Sequence, residues 1–241
     1  MALHIDDDDG AKDYFLYKDD PTPFSDAGLS TSIFPLTMSG WCKPDAINDH
    51  DAIMSIGDSS AAYPVASLNL KADGYATAES KKRGANGVSA TGSQYTAGDW
   101  QHFCAVFTSA TSRLVYMDGV AGTENTNDVD LVGGDTNKLT IGEYASTWNR
   151  EMNGHLADCA LWNVALSAAE VLILAKGYTA IQVRPESLVS YYPLVSDYLD
   201  VMGENLLSFG TDASASAPTF SDHTRIIEDA PVTSRSAWGG I

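Results

Sequence analysis

The sequence predicts an all-β fold of two stacked sheets, with one short helix and an extended C-terminal arm. Residues 100–107, WQHFCAVF, carry apolar groups on both faces, which is typical of a strand covered on both sides in a sandwich. After a short polar loop, RLVYM ends at Asp118-Gly119. Because glycine, and to a lesser extent aspartate, tolerates positive φ, this dipeptide predicts a tight hairpin. At 241 residues the chain can bury a full core as one all-β domain.

The strands before this segment are bounded by turn signals. ALHI and KDYFLY read as a first strand that is broken by an acidic turn at residues 6–9, and FPLTMSGWCKPD reads as an early core strand. AIMSIGD and YPVASLNL are two further strands, and Asp73-Gly74 after the second predicts another hairpin. ESKKRGANG, residues 79–87, is predicted to be a mobile polar loop. Its cationic residues 81–83 are either a solvated loop tip or a contact for phosphate or an acidic glycan.

One helix is predicted after LWNVAL. Ser167 is its N-cap and Glu170 stands three residues later, so a capping box can satisfy two otherwise unpaired amides. Leu166 and Val171 are spaced for a hydrophobic staple, and Gly177 can adopt the left-handed conformation after the last turn. The helix is shorter than about a dozen residues, so tertiary packing must hold it.

The chain beyond the helix is predicted to close a sheet and then extend. RPESLVSYYPL, residues 184–194, is a further strand, and the segment after Asp200 is rich in Ser, Ala, Thr and Gly. We therefore divide the chain into a sandwich at residues 1–178 and a C-terminal strand with a docking arm at residues 179–241. The arm is too polar to build a core of its own, so we expect it to dock on a neighbouring subunit.

Five pieces of sequence, in this order, resemble the laminin G-like branch of the concanavalin A-like jelly rolls. That family has a Trp-led strand, a strand ending in Tyr-x-Asp-Gly, a strand ending in Ile-Gly, then Gly-x-x-x-Asp and a helix opened by Leu-Ser-x-x-Glu. The matching residues are Trp100, Tyr116, Asp118, Gly119, Ile141, Gly142, Gly154, Asp158, Leu166, Ser167 and Glu170. The resemblance begins near residue 1 and implies a concanavalin A-like (laminin G-like) jelly-roll sandwich.

The C-terminal part resembles laminin G-like proteins of tailed bacteriophages and their bacterial relatives. Those proteins follow the helix with Arg-Pro-x-x-Leu-Val-x-Tyr-x-Pro-Leu and continue to Asp-Leu-x-Gly and Asp-His-Pro-Arg. The matching residues are Arg184, Pro185, Leu188, Val189, Tyr191, Pro193, Leu194, Asp200, Gly203, Asp222, His223 and Arg225, whereas Thr224 replaces the proline. This resemblance implies a place in a virion.

Charge and composition exclude several classes of partner. The formal net charge of −18 repels nucleic acid and anionic membranes, and no apolar run is long enough to span a bilayer. MALHIDDDDG has neither the basic nor the apolar region of a secretory signal, so we expect synthesis in a host cytoplasm without a signal peptide. Cys42, Cys104 and Cys159 lie in predicted strands and are expected to be buried free thiols.

The sequence also predicts that the protein is not an enzyme. An enzyme of this fold would be expected to resemble the β-glucanases, which carry Glu-x-Asp-x-x-Glu on one strand. Because side chains alternate between the two faces of a strand, these carboxylates lie on one face, where one acts as nucleophile and another as acid. None of the eight glutamates is followed by aspartate two positions later. His102 alternates with core positions and is predicted to be a packing residue rather than a base.

Two ligand sites are hypotheses from the sequence, one for calcium and one for a glycan. The family resemblance implies a structural calcium ion at Asp6 and Asp158; the alternative is that the acidic run is a solvated turn and Asp158 caps a strand end. A glycan site is predicted in the loop EYASTWNREMNG, at Tyr144, Trp148 and Asn149, with the alternative that Trp148 packs over the sandwich edge. The tryptophans in strand patterns, at positions 41, 100 and 162, are expected to belong to the core.

The expected function is that of a non-enzymatic phage virion protein. It would decorate the capsid or form a head or tail fibre-like module, contact other virion proteins or copies of itself, and bind a cell-surface glycan. The alternative is a bacterial carbohydrate-binding module, followed by a glycoside hydrolase.

Overall fold

A computed structural model of the chain describes residues 2–5, 15–24, 31–47, 50–58, 60, 63–133, 136–145, 151–210 and 219–221. In chain order the strands are β1 (Ala2–Ile5), β2 (Phe15–Asp19), β3 (Leu36–Pro44), β4 (Asp51–Gly57), β5 (Val65–Leu70), β6 (Ala76–Lys82), β7 (Ala85–Ala90), β8 (Gln101–Ser109), β9 (Ser112–Met117), β10 (Val120–Ala121), β11 (Lys138–Ile141), β12 (Gly154–Trp162), β13 (Leu188–Tyr192), β14 (Ser208–Gly210) and β15 (Thr219–Ser221). The α-helix of the described residues, α1 (Ala168–Ala175), follows β12, and short 3-10 turns occupy Ala180–Gln182 and Pro185–Ser187. No helix in these ranges is long and apolar enough to cross a membrane.

The described strands form two antiparallel sheets, which confirms the predicted jelly-roll sandwich. Sheet A has the order β10-β9-β8-β3-β12-β1-β15, and β13 also pairs with β12. Sheet B has the order β14-β2-β11-β4-β5-β6-β7. Strands β4 to β7 follow one another as hairpins in sheet B, and β8 to β10 do so in sheet A, whereas most other neighbouring strands are distant in the sequence. The long connections explain why β1, near the N-terminus, lies beside β12.

The core lies between the sheets and follows the two-residue alternation of the strands. In β8, Phe103 and Phe107 point into the main core, while Cys104 and Val106 point to the outer face of sheet A and are also buried. Apolar side chains on both faces of this strand are therefore covered, as the sequence predicts. A second apolar cluster, which includes Val171 of α1, covers the outer side.

The turn at Asp118-Gly119 is the tight hairpin that the sequence predicts. Met117 pairs with Val120, so the loop contains two residues, and both have positive φ, 49° at Asp118 and 78° at Gly119. Positive φ at both central positions defines a type I′ turn, whose twist matches that of the flanking strands.

The segment at residues 79–87 is not a loop, so that prediction is wrong. It forms the end of β6 and the start of β7, which pair from Thr77 to Lys82, and only two residues, Arg83 and Gly84, make the turn. In β6, small Ala78 points into the core, while polar Thr77 and Glu79 point to the outer face of sheet B. This strand therefore contains few large apolar residues, and its sequence is similar to that of a polar loop. The three cysteines are buried and free, as predicted.

The described part of the C-terminal segment pairs with the sandwich. β13 pairs with β12, β14 pairs with β2 at the edge of sheet B, and β15 pairs with β1 at the edge of sheet A. Asn205 between these strands is fully buried. Its side chain accepts a hydrogen bond from the amide of Thr22 at 2.9 Å and donates to Ser190 Oγ at 2.9 Å. Both sheets thus receive strands from residues beyond 187.

Candidate functional site

The outer face of sheet A has a covered end and a polar-aromatic end. At the covered end Trp162 is fully buried, and its indole nitrogen donates a hydrogen bond to the carbonyl of Val183 at 2.9 Å. The residues of the other end lie on β1, on and just after β3, on and just before β8, and on β12. We call them the histidine–tryptophan patch: His4, Trp41, Asp45, Trp100, His102 and His155.

Strand register brings the patch together. His4 on β1 stands opposite His155 on β12, and His155 stands opposite Lys43 on β3. In the next row of sheet A, Trp41 on β3 stands opposite His102 on β8. Side chains directly opposite each other on antiparallel strands have Cβ atoms about 5 Å apart, so these pairs are in contact range.

The aromatic rings of the patch contact one another. The ring centroids of Trp41 and His102 are 5.5 Å apart at an interplanar angle of 63°, and those of Trp100 and His155 are 6.1 Å apart at 71°. His4 and His155 lie closer, at 4.2 Å between centroids. These geometries are edge-to-face or tilted, which aromatic rings prefer to an eclipsed stack.

Asp45 joins the two histidines at the rim of the patch. Its Oδ2 lies 3.0 Å from His4 Nε2, and its Oδ1 lies 3.7 Å from His155 Nδ1. The side chains are 24% exposed for His4, 17% for His155 and 40% for Asp45. A ligand can therefore reach all three residues from solvent.

Burial keeps two of the histidines neutral. It lowers the pKa of His102 to about 3, and Ser39 Oγ lies 2.8 Å from the ring Nε2 of His102. Burial also lowers the pKa of His155, helped by the nearby His4 and Lys43 and opposed by Asp45. A neutral imidazole keeps a lone pair on one ring nitrogen, so it can accept a hydrogen bond or bind a metal ion.

Two tryptophans of the patch are only half-buried, which corrects the expectation that they belong to the core. Trp41 is on the outer face of sheet A, and Trp100 lies just before β8 rather than inside a strand. Trp162, by contrast, is fully buried as expected. Sequence reasoning missed the patch because each of the three tryptophans is predicted to lie in a strand, and the burial of a strand residue depends on which elements cover that face of the sheet.

The predicted glycan loop falls partly outside the described residues. Tyr144 is fully buried and packs with Ala52 and Val65 on the outer side of sheet B, so its ring does not present an exposed face in this structure. Trp148 and Asn149 lie outside the described residues.

The predicted calcium ligand Asp158 lies at a bulge in β12. Its φ of 51° is in the left-handed region, and the register of β12 against β3 shifts between Ala157 and Ala160. The phenol of Tyr191 donates a hydrogen bond to Asp158 Oδ1. The other predicted ligand, Asp6, lies outside the described residues, so calcium binding stays a prediction.

A buried acid on sheet B was also missed. Glu79 is 2% exposed; its Oε2 lies 3.8 Å from Lys71 Nζ and accepts a hydrogen bond of 3.4 Å from Asn69 Nδ2. The alternation of Ala76 and Ala78 with polar neighbours is the signal that could have placed Glu79 on the outer face of β6. Its contacts with a cation and an amide satisfy a buried charge, as packing requires.

Fold and patch together define a jelly-roll sandwich with a ligand-accessible polar-aromatic surface. A family model described as the concanavalin A-like lectin/glucanases superfamily matches residues 10–172. The chain therefore belongs to that superfamily. No curated protein is similar enough in sequence to count as a relative of the chain.

Solved structures share the fold at low sequence identity. A candidate carbohydrate-binding protein from Bacteroides ovatus ATCC 8483 is 16% identical and gives a TM-score of 0.58. The aligned residues make up 90% of this chain and 60% of the Bacteroides chain. The CBM40 domain of the Ruminococcus gnavus IT-sialidase, bound to α2,3-sialyllactose, is 9% identical over 68% of this chain and 95% of its own, with a TM-score of 0.55. A heptameric SAP-like pentraxin from Limulus polyphemus is 17% identical, with a TM-score of 0.52. The aligned residues make up 72% of this chain and 81% of the pentraxin chain.

Proposed function

We propose that the chain is a non-catalytic glycan-binding module and that the histidine–tryptophan patch is its binding surface. The observation that carries this proposal is the pair of half-buried tryptophans, Trp41 and Trp100, beside polar groups that reach solvent. The apolar faces of sugar rings pack on aromatic side chains, while nearby polar groups fix the hydroxyls. Neutral His155 and the Asp45 carboxylate supply such groups at the rim.

Similar structures support this class of ligand. The Bacteroides ovatus protein is described as a candidate carbohydrate-binding protein, and the Ruminococcus gnavus domain holds a sialylated glycan. The net charge of −18 repels polyanions, so we expect this chain to favour neutral glycans.

The absence of the Glu-x-Asp-x-x-Glu pattern supports a role without catalysis. Incubation of the chain with β-glucans and other neutral polysaccharides should release no reducing ends. Release that disappears on substitution of one buried acid, such as Glu79→Gln, would contradict this part of the proposal.

A glycan array probed with the full chain tests binding and its place. Trp41→Ala and Trp100→Ala should each weaken binding to the best neutral glycan about tenfold or more, as loss of an aromatic anchor does. Tyr17→Ala, which removes an aromatic ring from β2 of sheet B, is the matched control and should bind normally. If only Trp148→Ala abolishes binding, the glycan site is the predicted loop and not the patch. If no glycan binds, the proposal fails altogether.

We further propose that this module is a structural part of a tailed-phage virion, assembled in the host cytoplasm with other virion proteins or copies of itself. The resemblance at residues 184–194 supports this. Arg184 of that segment donates from Nε to Glu170 Oε1 at 2.7 Å, which links the segment to the helix. An acidic surface would also keep particles from adhering to one another.

Mass spectrometry and immunogold electron microscopy of purified particles test the virion role. The chain should appear in many copies per particle, and deletion of residues 222–241 should reduce its incorporation while leaving β15 in place. A chain found only at a bacterial surface or among secreted proteins would favour the bacterial carbohydrate-binding module instead.

Calcium remains a separate proposal, with Asp6 and Asp158 as ligands. Carboxylate oxygens are the ligands that calcium prefers, and an ion that binds only the folded chain raises its melting temperature. Millimolar calcium added to metal-free protein should raise the melting temperature, and Asp158→Asn should remove that effect. An unchanged melt would contradict it.

A further inference from the structure

The strongest unassigned feature of the molecule is the group formed by His4, Asp45 and His155. The candidate metal-ligand atoms of these three residues all lie within 4.8 Å of one another. The residues come from β1, from the turn after β3 and from β12, and the antiparallel register holds both histidines on one face. The strands therefore fix the two histidines, and Asp45 follows directly on the last residue of β3.

We propose that His4 Nε2, His155 Nδ1 and a carboxylate oxygen of Asp45 form a binding site for a first-row divalent transition metal, with zinc as the expected ion. Two imidazoles and one carboxylate are a donor set that zinc favours, at about 2.0–2.2 Å from each atom. Bonds of that length around a tetrahedral ion place the donor atoms about 3.3 Å apart. His4 Nε2 lies 3.0 Å from Asp45 Oδ2 and His155 Nδ1 lies 3.7 Å from Asp45 Oδ1, while the three ligand atoms as a set lie within 4.8 Å of one another. Rotation of these partly exposed side chains must therefore bring the donors closer together when the ion binds.

The hydrogen bonding of His155 gives an independent argument. Its Nδ1 is shielded from solvent and makes no hydrogen bond within the described structure, although Asp45 Oδ1 is 3.7 Å away. That separation is too long for a hydrogen bond if Nδ1 carries a proton. If Nδ1 carries the lone pair, it faces a carboxylate with no proton between them. A cation bound between the two atoms would satisfy both.

The same donor set argues against calcium or magnesium at this place. Those ions require mostly oxygen ligands, whereas two of the three donors here are imidazole nitrogens. The site is also distinct from the calcium prediction, which involves Asp6 and Asp158. Three protein ligands leave a fourth position that solvent can reach past Asp45, whose side chain is 40% exposed.

Isothermal titration of the full, tag-free and metal-free chain with zinc chloride tests the site. One zinc ion should bind per chain, and millimolar calcium should not displace it. His4→Gln and His155→Gln should each weaken zinc binding by at least about tenfold, since even loss of an outer-shell partner of a metal ligand has that effect. Cobalt(II) in place of zinc should give visible absorption bands of a low-coordinate site without thiolate charge-transfer bands, because the cysteines are buried elsewhere.

His50→Gln is the matched control, since it removes one histidine outside the group and should leave zinc binding unchanged. Asp45→Asn provides a second route if a histidine variant fails to fold, because this partly exposed side chain belongs to a turn. The proposal is overturned if zinc does not bind with one-to-one stoichiometry, or if it binds the His4, His155 and Asp45 variants as tightly as the parent chain. None of these outcomes depends on whether a glycan binds the patch.

Discussion

At the scale of single residues, His102 shows how burial sets the charge of a side chain on this sandwich. It is 1% exposed, its ring nitrogen contacts Ser39, and its backbone amide donates to Asp118 Oδ1 at 2.8 Å. The Ser39 contact holds the ring against β3, and the amide contact fixes the backbone of His102 beside the turn after β9, while the apolar surroundings exclude the charged form. The residue is therefore structural, as its alternation in the sequence predicts.

Replacement of His102 should reduce the dependence of stability on pH. The pKa of His102 is about 3 in the folded chain and near its ordinary 6.5 in the unfolded chain. Between these values the unfolded chain binds a proton that the folded chain does not. The free energy of unfolding therefore falls as pH decreases from 6.5 towards 3, by about 1 kcal/mol per pH unit.

Denaturant unfolding at pH 7, 6, 5 and 4 measures this effect. The parent chain should lose stability more steeply below pH 6.5 than His102→Gln, so the gap between them should narrow as the medium becomes acidic. His102→Asn, which also lacks a titratable ring at this position, should show the same shallower slope as His102→Gln. Parallel curves for the parent and His102→Gln would show that His102 does not titrate on unfolding.

The limits of sequence reasoning at this scale follow from long-range contacts. His4 and Asp45 are 41 positions apart, and His155 lies a further 110 positions along the chain. Each stands in an ordinary strand or turn pattern, and only the pairing of β1 with β12 unites them. The candidate site therefore could not be predicted from the spacing of these residues in the sequence.

At the scale of elements, α1 was predictable because its signals are local. Ser167 Oγ accepts from the amide of Glu170 at 3.4 Å, and Glu170 Oε2 accepts from the amide of Ser167 at 2.7 Å, which is the predicted capping box. Burial acts to raise the pKa of Glu170, but hydrogen bonds from Ser167 and Arg184 outweigh it and hold the pKa below its usual value. The strands β14 and β15 were not predicted, because three-residue strands carry no periodicity and their partners lie near the N-terminus.

Removal of the N-cap should destabilise the whole sandwich modestly. Ser167→Ala leaves the first amides of α1 without a partner, at a typical cost of about 1 kcal/mol. For a chain of this size that corresponds to a fall of about 2–4 °C in melting temperature. Ser167→Thr keeps the hydroxyl and should retain most of the stability. Differential scanning calorimetry checks both variants, and equal melting temperatures for Ser167→Ala and the parent would contradict the capping role.

At the scale of the whole molecule, a buried polar hub ties the C-terminal segment to both sheets. Asp200 is 5% exposed and accepts hydrogen bonds from the amides of Tyr191 and Asn205, each at 2.9 Å. The carbonyl of Asn205 accepts from the phenol of Tyr192 at 2.7 Å, and its side chain bonds to Thr22 near β2. Buried polar groups require such partners, so residues up to 210 behave as part of the folded unit rather than as a free extension.

Truncation on either side of this hub should separate its contribution from that of the remaining C-terminal residues. A chain that ends at residue 210 keeps Asn205 and β14, whereas one that ends at residue 200 loses both and leaves Thr22, Ser190 and Tyr192 without their partners. Each lost buried hydrogen bond costs about 1 kcal/mol, so the shorter chain should melt about 10 °C or more below the longer one. Asn205→Ala in the 210-residue chain should account for part of the difference. Equal melting temperatures for the two truncated chains would show that the sandwich is complete before residue 201.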